Sequence, residues 1–196
     1  MNNLDADIVV VGGGVAGFSA ALAAVAAGRS VILVERQQML GGNATQSNVG
    51  TICGAYYRSL TGPAVFAGHT FGLNLINELT DAGICSEPFM HHNGLYVLHY
   101  HWRQFHTYLE SKLAQAGVSV LLQTEVREVN RTGNKITHLV TASNNTKTKI
   151  SGGAFIDCSG NAILSRLANA AVISTDRKST RLNSSHVALS RMPSSA

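Results

Sequence analysis

The stretch VILVERQQMLGGNATQ, residues 31–46, decides the fold of this chain. Its apolar start predicts a strand over Ser30–Val34, and the strand ends at an acidic residue, Glu35. Two adjacent glycines follow at Gly41 and Gly42. A carboxylate at a strand end can accept hydrogen bonds from a ribose, and a glycine pair lets the backbone approach a phosphate closely. The stretch therefore indicates a nucleotide ligand.

A strand, a glycine turn and a helix precede this stretch. The segment VVVGGGVAGFSAA, residues 9–21, places a GxGxxG pattern between an apolar strand at Asp7–Val11 and an Ala-rich helix at Val15–Ala27. The glycines of the pattern are Gly12, Gly14 and Gly17. They permit a tight turn, a close approach to a pyrophosphate and close helix packing, while the helix N-terminus at Val15 and Ala16 faces the phosphate charge. Followed by a second strand and an acid, the pattern favours a dinucleotide site over a structural turn.

The rest of the chain predicts an α/β fold, a doubly wound parallel sheet with a small antiparallel β-meander. The meander is expected over Thr124–Ile150, where apolar and polar residues alternate in three short segments. Further strands are expected at 95–100, 118–122 and 154–158. Further helices are expected at about 71–82, 102–116 and 162–170.

The segments around the two glycine patterns resemble the FAD-dependent oxidoreductases with a glutathione-reductase-like flavin domain, in particular the members with a single Rossmann domain. In that family Glu-Arg or Glu-Lys follows the second strand, and a Gly-Gly loop then wraps the pyrophosphate and leads to the flavin. Glu35 and Arg36 match the first feature, and Gly41 and Gly42 match the second. The resemblance implies FAD as the cofactor and a loop that continues through Asn43, Ala44 and Thr45.

The segment FIDCSGNAILSRLANA, residues 155–170, resembles the family segment that returns the chain to the cofactor. The resemblance implies cofactor contacts from Ser159, Gly160 and Asn161, although Asn161 stands where the family has an acid. The strand around Val126 matches the family segment whose backbone receives the adenine.

The implied function is that of an FAD-dependent oxidoreductase whose flavin accepts a hydride or electrons from a small-molecule substrate. Two alternatives stay open. One is a flavoprotein that uses FAD structurally or in a modification reaction, and the other is an NAD-binding dehydrogenase or sensor. No residue is identified as a catalytic base, and the oligomeric state is left open.

Other motifs give weaker signals. Cys53 lacks a partner five residues on, so we expect a buried small residue and no dithiol chemistry. The pair Tyr108 and Lys112 fits the Tyr-x-x-x-Lys spacing of short-chain dehydrogenases, which we attribute to chance on an exposed helix face. His99 and His101 share one face of a predicted strand, but no carboxylate or cysteine completes a ligand set, so no metal site is expected.

Composition and charge limit the partners. The three cysteines lack CxxC spacing, which predicts reduced thiols and a cytoplasmic location. The N-terminus has no signal-peptide features, and no apolar run approaches membrane-spanning length, so no membrane contact is expected. The net charge is +4, but residues 176–196 carry +3 of it, so no nucleic-acid partner is expected.

Residues 176–196 resemble a translation of a short-read sequencing adapter. The segments DRKSTRLNSSH, residues 176–186, and SRMPSSA, residues 190–196, match two parts of that adapter in one reading frame. An ordinary polar, disordered tail is the alternative. We therefore expect an FAD-binding domain over residues 1–175, followed by a non-native or disordered tail. We expect this domain to be the N-terminal part of a longer protein and to be inactive on its own.

Overall fold

The computed structural model describes residues 2–47, 49–144 and 146–170, so the prediction for residues 176–196 lies outside the described residues. The helices are α1 (Val15–Ala26), α2 (Asn43–Gln46), α3 (Thr70–Asp81), α4 (Trp102–Gln115) and α5 (Ile163–Leu167). The strands are β1 (Asn2–Val11), β2 (Val31–Val34), β3 (Thr51–Cys53), β4 (Phe89–His92), β5 (Leu95–His99), β6 (Ser119–Leu121), β7 (Glu125–Thr132), β8 (Lys135–Ser143) and β9 (Thr146–Asp157).

The main sheet has six strands in the order β6-β2-β1-β9-β8-β7. The strands β6, β2, β1 and β9 run parallel, whereas β7 and β8 pair antiparallel as the meander. At the centre, Val10 of β1 lies between Leu33 of β2 and Ile156 of β9. The apolar runs of β1 and β2 are buried because the sheet is covered on both faces.

Two hydrophobic clusters lie on opposite faces of this sheet. On one face, Val10 packs in a cluster with Phe18 of α1 and Leu109 of α4. On the other face, Val9 packs in a cluster with Leu164 of α5 and with apolar side chains of β7 and β8. The predicted fold class, a doubly wound sheet with a small meander, is confirmed. Helices of ordinary length cover the first face, and the meander with the five-residue α5 covers the second.

One boundary inside the meander was predicted wrongly. The third meander segment and the strand expected at 154–158 form one continuous strand, β9. Its first half pairs with both β1 and β8, and its second half pairs with β1. The two predicted segments left residues 151–153, with Gly152 and Gly153, outside any strand, but a Cβ on Gly152 would lie 2.8 Å from Cγ2 of Val9. Glycine is needed there for close packing inside a strand rather than for a turn.

A second, smaller sheet was not predicted. It has the antiparallel order β3-β5-β4 and packs its Tyr96 and Leu98 with Tyr56 and with Ile76 of α3. Its central strand, β5, confirms the strand predicted at 95–100, whereas β3 and β4 have three and four residues, too short for alternation to stand out in the sequence. The helices within the described ranges are too short or too polar to traverse a bilayer.

Candidate functional site

The predicted site residues come together at the carboxyl edge of the main sheet, where β1, β2 and β9 end. A groove of about 360 Å³ lies along this edge. The predicted residues that line it are Gly12, Gly14, Val15, Ala16, Glu35, Arg36, Gly41, Gly42, Asn43, Ala44, Ser159 and Gly160. An adjoining cleft of about 90 Å³ shares part of this lining and adds Val126 and Asn161. Gly17 and Thr45 complete the predicted set, and both are buried behind the groove.

The glycines of the first pattern differ in what they face. Gly12 has φ 105°, and a Cβ there would lie 2.3 Å from the carbonyl oxygen of Cys158. A Cβ on Gly17 would lie 1.8 Å from the carbonyl oxygen of Gly12. A Cβ on Gly14 would meet nothing within 4 Å. The first and third glycines therefore let the protein pack on itself, whereas Gly14 faces the open groove.

The N-terminus of α1 opens into the same groove. Its N-cap residue is Gly14, its first turn has no acidic residue, and no side chain caps it by a hydrogen bond. The first backbone N–H groups of a helix lack intrahelical acceptors and carry the positive end of the helix dipole. The amides at Val15 and Ala16 are therefore suited to an anionic group.

The two glycine segments touch each other through their backbones. The N–H of Gly41 donates to the carbonyl oxygen of Gly13 at 2.8 Å. Gly42 has φ 56°, and a Cβ there would lie 3.2 Å from the Cα of Gly14. Gly14 and Gly41, which are 27 positions apart in sequence, form a parallel β-bridge. The two glycine segments therefore lie side by side at the rim of one groove. A side chain on Gly42 would press against Gly14 and push the two segments apart.

Gly13 is a buried residue that supports the site from behind the groove, and the sequence did not single it out. It occupies a variable position of the GxGxxG pattern, so the pattern gave no reason to select it. In the fold its N–H donates to Oε2 of Glu35 at 2.6 Å, and a Cβ there would lie 2.6 Å from Cδ2 of Leu40. The run of three glycines, rather than two, was the available signal.

Glu35 is buried, with 7% of its surface exposed, and both carboxylate oxygens accept backbone hydrogen bonds. Oε2 accepts from Gly13 at 2.6 Å, and Oε1 accepts from Gln37 at 2.7 Å. A carboxylate can accept about four hydrogen bonds, so acceptor capacity remains on the side that faces the groove. The carboxylate therefore shapes the first glycine turn in addition to lining the site.

The loop from Met39 to Gln46 is held by a hydrogen bond within it and by a partner from a distant part of the chain. The buried hydroxyl of Thr45 donates to the carbonyl oxygen of Leu40 at 2.6 Å. The hydroxyl of Tyr100 donates to the carbonyl oxygen of Ala44 at 2.7 Å. The sequence analysis missed Tyr100 because its contact spans 56 residues. Thr45 lies inside the loop, so its hydroxyl serves the loop rather than the groove.

The turn after β9 is organised by Asp157. Its Oδ1 accepts from the amide of Ser159 at 3.1 Å and from the hydroxyl of Ser159 at 2.6 Å. Its Oδ2 accepts from the amide of Leu164 at 2.9 Å, which caps the start of α5. Gly160 has φ 74° and Ala162 has φ 54°, so two left-handed residues bend the chain here. Burial and the charge of Asp157 raise the pKa of the neighbouring Cys158 thiol, which therefore stays protonated near neutral pH.

The weaker motifs lie outside the groove lining. Cys53 is exposed at the end of β3, so the expectation of a buried residue was wrong; its strand belongs to the small sheet, which was not predicted. The thiols of Cys53, Cys85 and Cys158 are free. Burial raises the pKa of Cys85 to about 11.

The histidine pair is separated by an element boundary. His99 ends β5, with Nδ1 lying 3.2 Å from the hydroxyl of Thr51, whereas His101 is the N-cap of α4. Within the described residues, no three His, Cys, Asp or Glu side chains cluster so as to hold a metal ion. Tyr108 and Lys112 of α4 both contact Glu78 of α3, at 2.6 and 2.5 Å.

A family model described as FAD dependent oxidoreductase matches residues 7–193. The chain belongs to this family. The resemblance inferred from the two glycine segments is confirmed, and FAD is the cofactor. The match extends into residues 176–196, whose resemblance to an adapter stays a prediction.

Individual relatives share parts of the chain. A fumarate reductase (cytochrome) of Shewanella frigidimarina is 58% identical over 38 residues, which are 19% of this chain and 7% of that protein. A geranylgeranyl bacteriochlorophyll reductase-like structure from Thermoplasma acidophilum has a TM-score of 0.62 and 18% identity over 88% of this chain and 44% of its own. The myxobacterial chondrochloren halogenase CndH, a variant of FAD-dependent halogenases, has a TM-score of 0.55 and 18% identity over 81% and 38%. The chain spans less than half of either structure, and at this identity the likeness concerns the fold.

Proposed function

We propose that the groove binds the FAD diphosphate where the two glycine segments meet, and that the flavin accepts a hydride or electrons from a small-molecule substrate. The observation that carries this proposal is the backbone contact between Gly13–Gly14 and Gly41–Gly42. A single glycine turn can contact a phosphate from one side only. A second loop packed against that turn can enclose a diphosphate from two sides.

The groove fits this cofactor. The open space at Gly14 and the uncapped N-terminus of α1 suit a diphosphate. The remaining acceptor capacity of Glu35 suits a ribose hydroxyl, and the backbone near Val126 lies in the adjoining cleft, where adenine would be received. We assign the turn at Ser159–Asn161 to the cofactor as well, since it lines both spaces.

Each group has a role in holding the cofactor. When bound, FAD supplies the two-electron acceptor chemistry of the family. The α1 amides and the glycine backbones would neutralise and position the diphosphate, while Glu35 would orient the ribose. The Asp157-supported turn would close the end of the groove.

Titration of the purified full chain with FAD tests the binding proposal. Saturable quenching of flavin fluorescence with one FAD per chain is the expected result. No saturable binding, in a chain whose circular dichroism shows the α/β fold, would contradict it. Binding of NAD without FAD would instead favour the dehydrogenase alternative.

Anaerobic reduction tests the redox proposal. Flavin absorbance that bleaches with a substrate or reductant and returns in air supports electron transfer through the flavin. A bound flavin that supports product formation without net oxidation of the substrate would favour the modification alternative. Shared fold does not decide between these, because the similar structures include, by title, a reductase-like protein and a halogenase.

A further inference from the structure

Leu40 fixes the start of the second glycine loop through three separate contacts. Its side chain is 1% exposed and packs where Gly13 lacks a Cβ. Its carbonyl oxygen accepts from the hydroxyl of Thr45 at 2.6 Å. Its N–H donates to Nδ1 of His106 at 3.2 Å, a contact between residues 66 positions apart. The next residue, Gly41, makes the backbone bond to Gly13.

The bond to Leu40 fixes the protonation of His106. A backbone N–H can only donate, so Nδ1 must be the unprotonated nitrogen and Nε2 must carry the hydrogen. Nε2 lies 3.3 Å from Oε2 of Glu110, one helical turn further along α4. A hydrogen-bonded chain therefore runs from the carboxylate of Glu110 through the ring of His106 to the backbone N–H of Leu40. A second proton on the ring would occupy Nδ1 and remove the acceptor for Leu40.

Few charges surround His106. The helix α4 packs against α1, α2 and β6, and these three elements contain no titratable side chain. On α3, Glu78 is engaged by Lys112. On the segment that leads into the glycine loop, Glu35 is bound to backbone amides and Arg36 is exposed. Glu110 is therefore the ionisable group in contact with the ring.

We propose that neutral His106 is a positioning residue that holds Leu40–Gly42 in the shape that binds the FAD diphosphate, and that protonation of His106 releases this loop. The proposal rests on the proposed function, because it assumes that the loop contacts FAD. It makes cofactor retention depend on whether Nδ1 of this ring carries a proton. Electrostatic attraction between a protonated ring and a diphosphate would act in the opposite direction, so the sign of the pH effect is decisive.

Two variants separate the two ring nitrogens. In H106N, the amide oxygen can stand where Nδ1 stands, so it keeps an acceptor for Leu40 without a titrating group. In H106Q, the polar end of the side chain reaches the position of Nε2 instead, so it keeps a contact for Glu110 and loses the acceptor. Both are measured as full chains by FAD titration at about pH 8.0 and about pH 5.5, on either side of the ordinary imidazole pKa, with circular dichroism as the check on folding.

The expected pattern is specific. At the higher pH, H106N should bind FAD within about twofold of wild type, and H106Q should bind about tenfold more weakly, the loss expected for one hydrogen bond. At the lower pH, the FAD affinity of wild type should fall towards that of H106Q. H106N should then bind FAD about tenfold more tightly than wild type. In the FAD-free protein, the ¹⁵N shifts of His106 at the higher pH should show a protonated Nε2 and an unprotonated Nδ1.

Several results would overturn the proposal. Wild-type FAD affinity that is unchanged or tighter at the lower pH would do so, as would an equal loss in wild type and H106N. A His106 ring protonated on Nδ1 in the neutral state would also do so, independently of FAD. If wild type binds no FAD at the higher pH, the proposed function itself fails. If wild type binds FAD but neither pH nor the His106 variants change its affinity, only the role of His106 fails.

Discussion

The carboxylate of Glu35 accepts the backbone N–H of Gly13 at 2.6 Å, across 22 residues of sequence. This bond joins the end of β2 to the glycine turn after β1, so the two central strands are tied at the edge that forms the groove. The side chain proposed to hold the ribose therefore also fixes the turn proposed to hold the diphosphate. Removing it should affect folding and cofactor binding together.

Glu35→Ala should weaken FAD binding by one to two orders of magnitude, because it removes charge-assisted hydrogen bonds of about 1.5–3 kcal/mol. It should also destabilise the FAD-free protein by about 1–3 kcal/mol, because the buried N–H of Gly13 loses its acceptor. FAD titration measures the first effect, and urea unfolding of the FAD-free chain measures the second.

The matched control is Glu35→Gln, which keeps one acceptor oxygen and the size of the side chain. It should fall between wild type and Glu35→Ala in both measurements. Unchanged FAD affinity in Glu35→Ala would show that this carboxylate does not hold the ribose. Unchanged stability would show that another group satisfies Gly13.

Two glycine variants distinguish a clash with the cofactor from a clash within the protein. Gly14→Val should leave the FAD-free fold intact, because Gly14 has φ −70° and a Cβ there meets nothing within 4 Å. It should abolish FAD retention, since the branched side chain would fill the space proposed for the diphosphate. Gly17→Ala should instead lower stability by about 1–3 kcal/mol, because its Cβ strikes the carbonyl oxygen of Gly12.

The measurements are thermal unfolding of the FAD-free chains and flavin content after purification. A Gly14→Val protein that is folded and retains FAD at wild-type stoichiometry would refute the assignment of the groove. A Gly14→Val protein that fails to fold would contradict the open space above Gly14.

Local patterns predicted most of the groove. The GxGxxG turn, Glu35 and the Gly41–Gly42 pair could be selected from sequence because each depends on neighbours a few positions away and on a fixed order of strand and helix. The groove lining at Ser159 and Gly160 came from resemblance alone. The parallel core was predictable because fully buried strands read as continuous apolar runs.

The contacts that support the loop could not be predicted in this way. His106 and Tyr100 reach the loop across 66 and 56 residues, and neither helix periodicity nor strand alternation encodes such pairings. The continuous β9 was missed because Gly152 reads as a break in sequence, whereas its cause is the packing of Val9 in the next strand. The exposure of Cys53 depended on its own three-residue strand, β3, which was too short to recognise although its partner β5 was predicted.

The origin of residues 176–196 is tested on DNA. If this segment is translated adapter, direct amplification across the Thr175 codon from the source DNA should give a different coding sequence from that point. Sequencing of the unligated product is the measurement. The same DRKSTRLNSSH codons in that product would refute the adapter origin, and the segment would then count as a genuine basic extension.

Tyr108 provides a prediction about alkaline stability. Burial raises the pKa of its phenol above the usual value, and the hydrogen bond to Glu78 and the charge of Glu78 raise it further. The folded state therefore keeps a proton that the unfolded chain releases near pH 10. The stabilising contribution of Tyr108 is complete below about pH 10 and is lost as the pH rises towards the folded-state value.

Tyr108→Phe should remove this pH dependence, because it keeps the ring and cannot ionise. The urea midpoint of wild type should fall more steeply than that of Tyr108→Phe between about pH 9 and pH 11. Tyr57→Phe, which removes an exposed phenol, is the control. FAD affinity should stay within about twofold of wild type (less than one hydrogen bond), since Tyr108 holds Glu78 between α3 and α4 and does not line the groove. A large loss of FAD affinity in Tyr108→Phe would instead restore the Tyr–Lys pair as part of the working site.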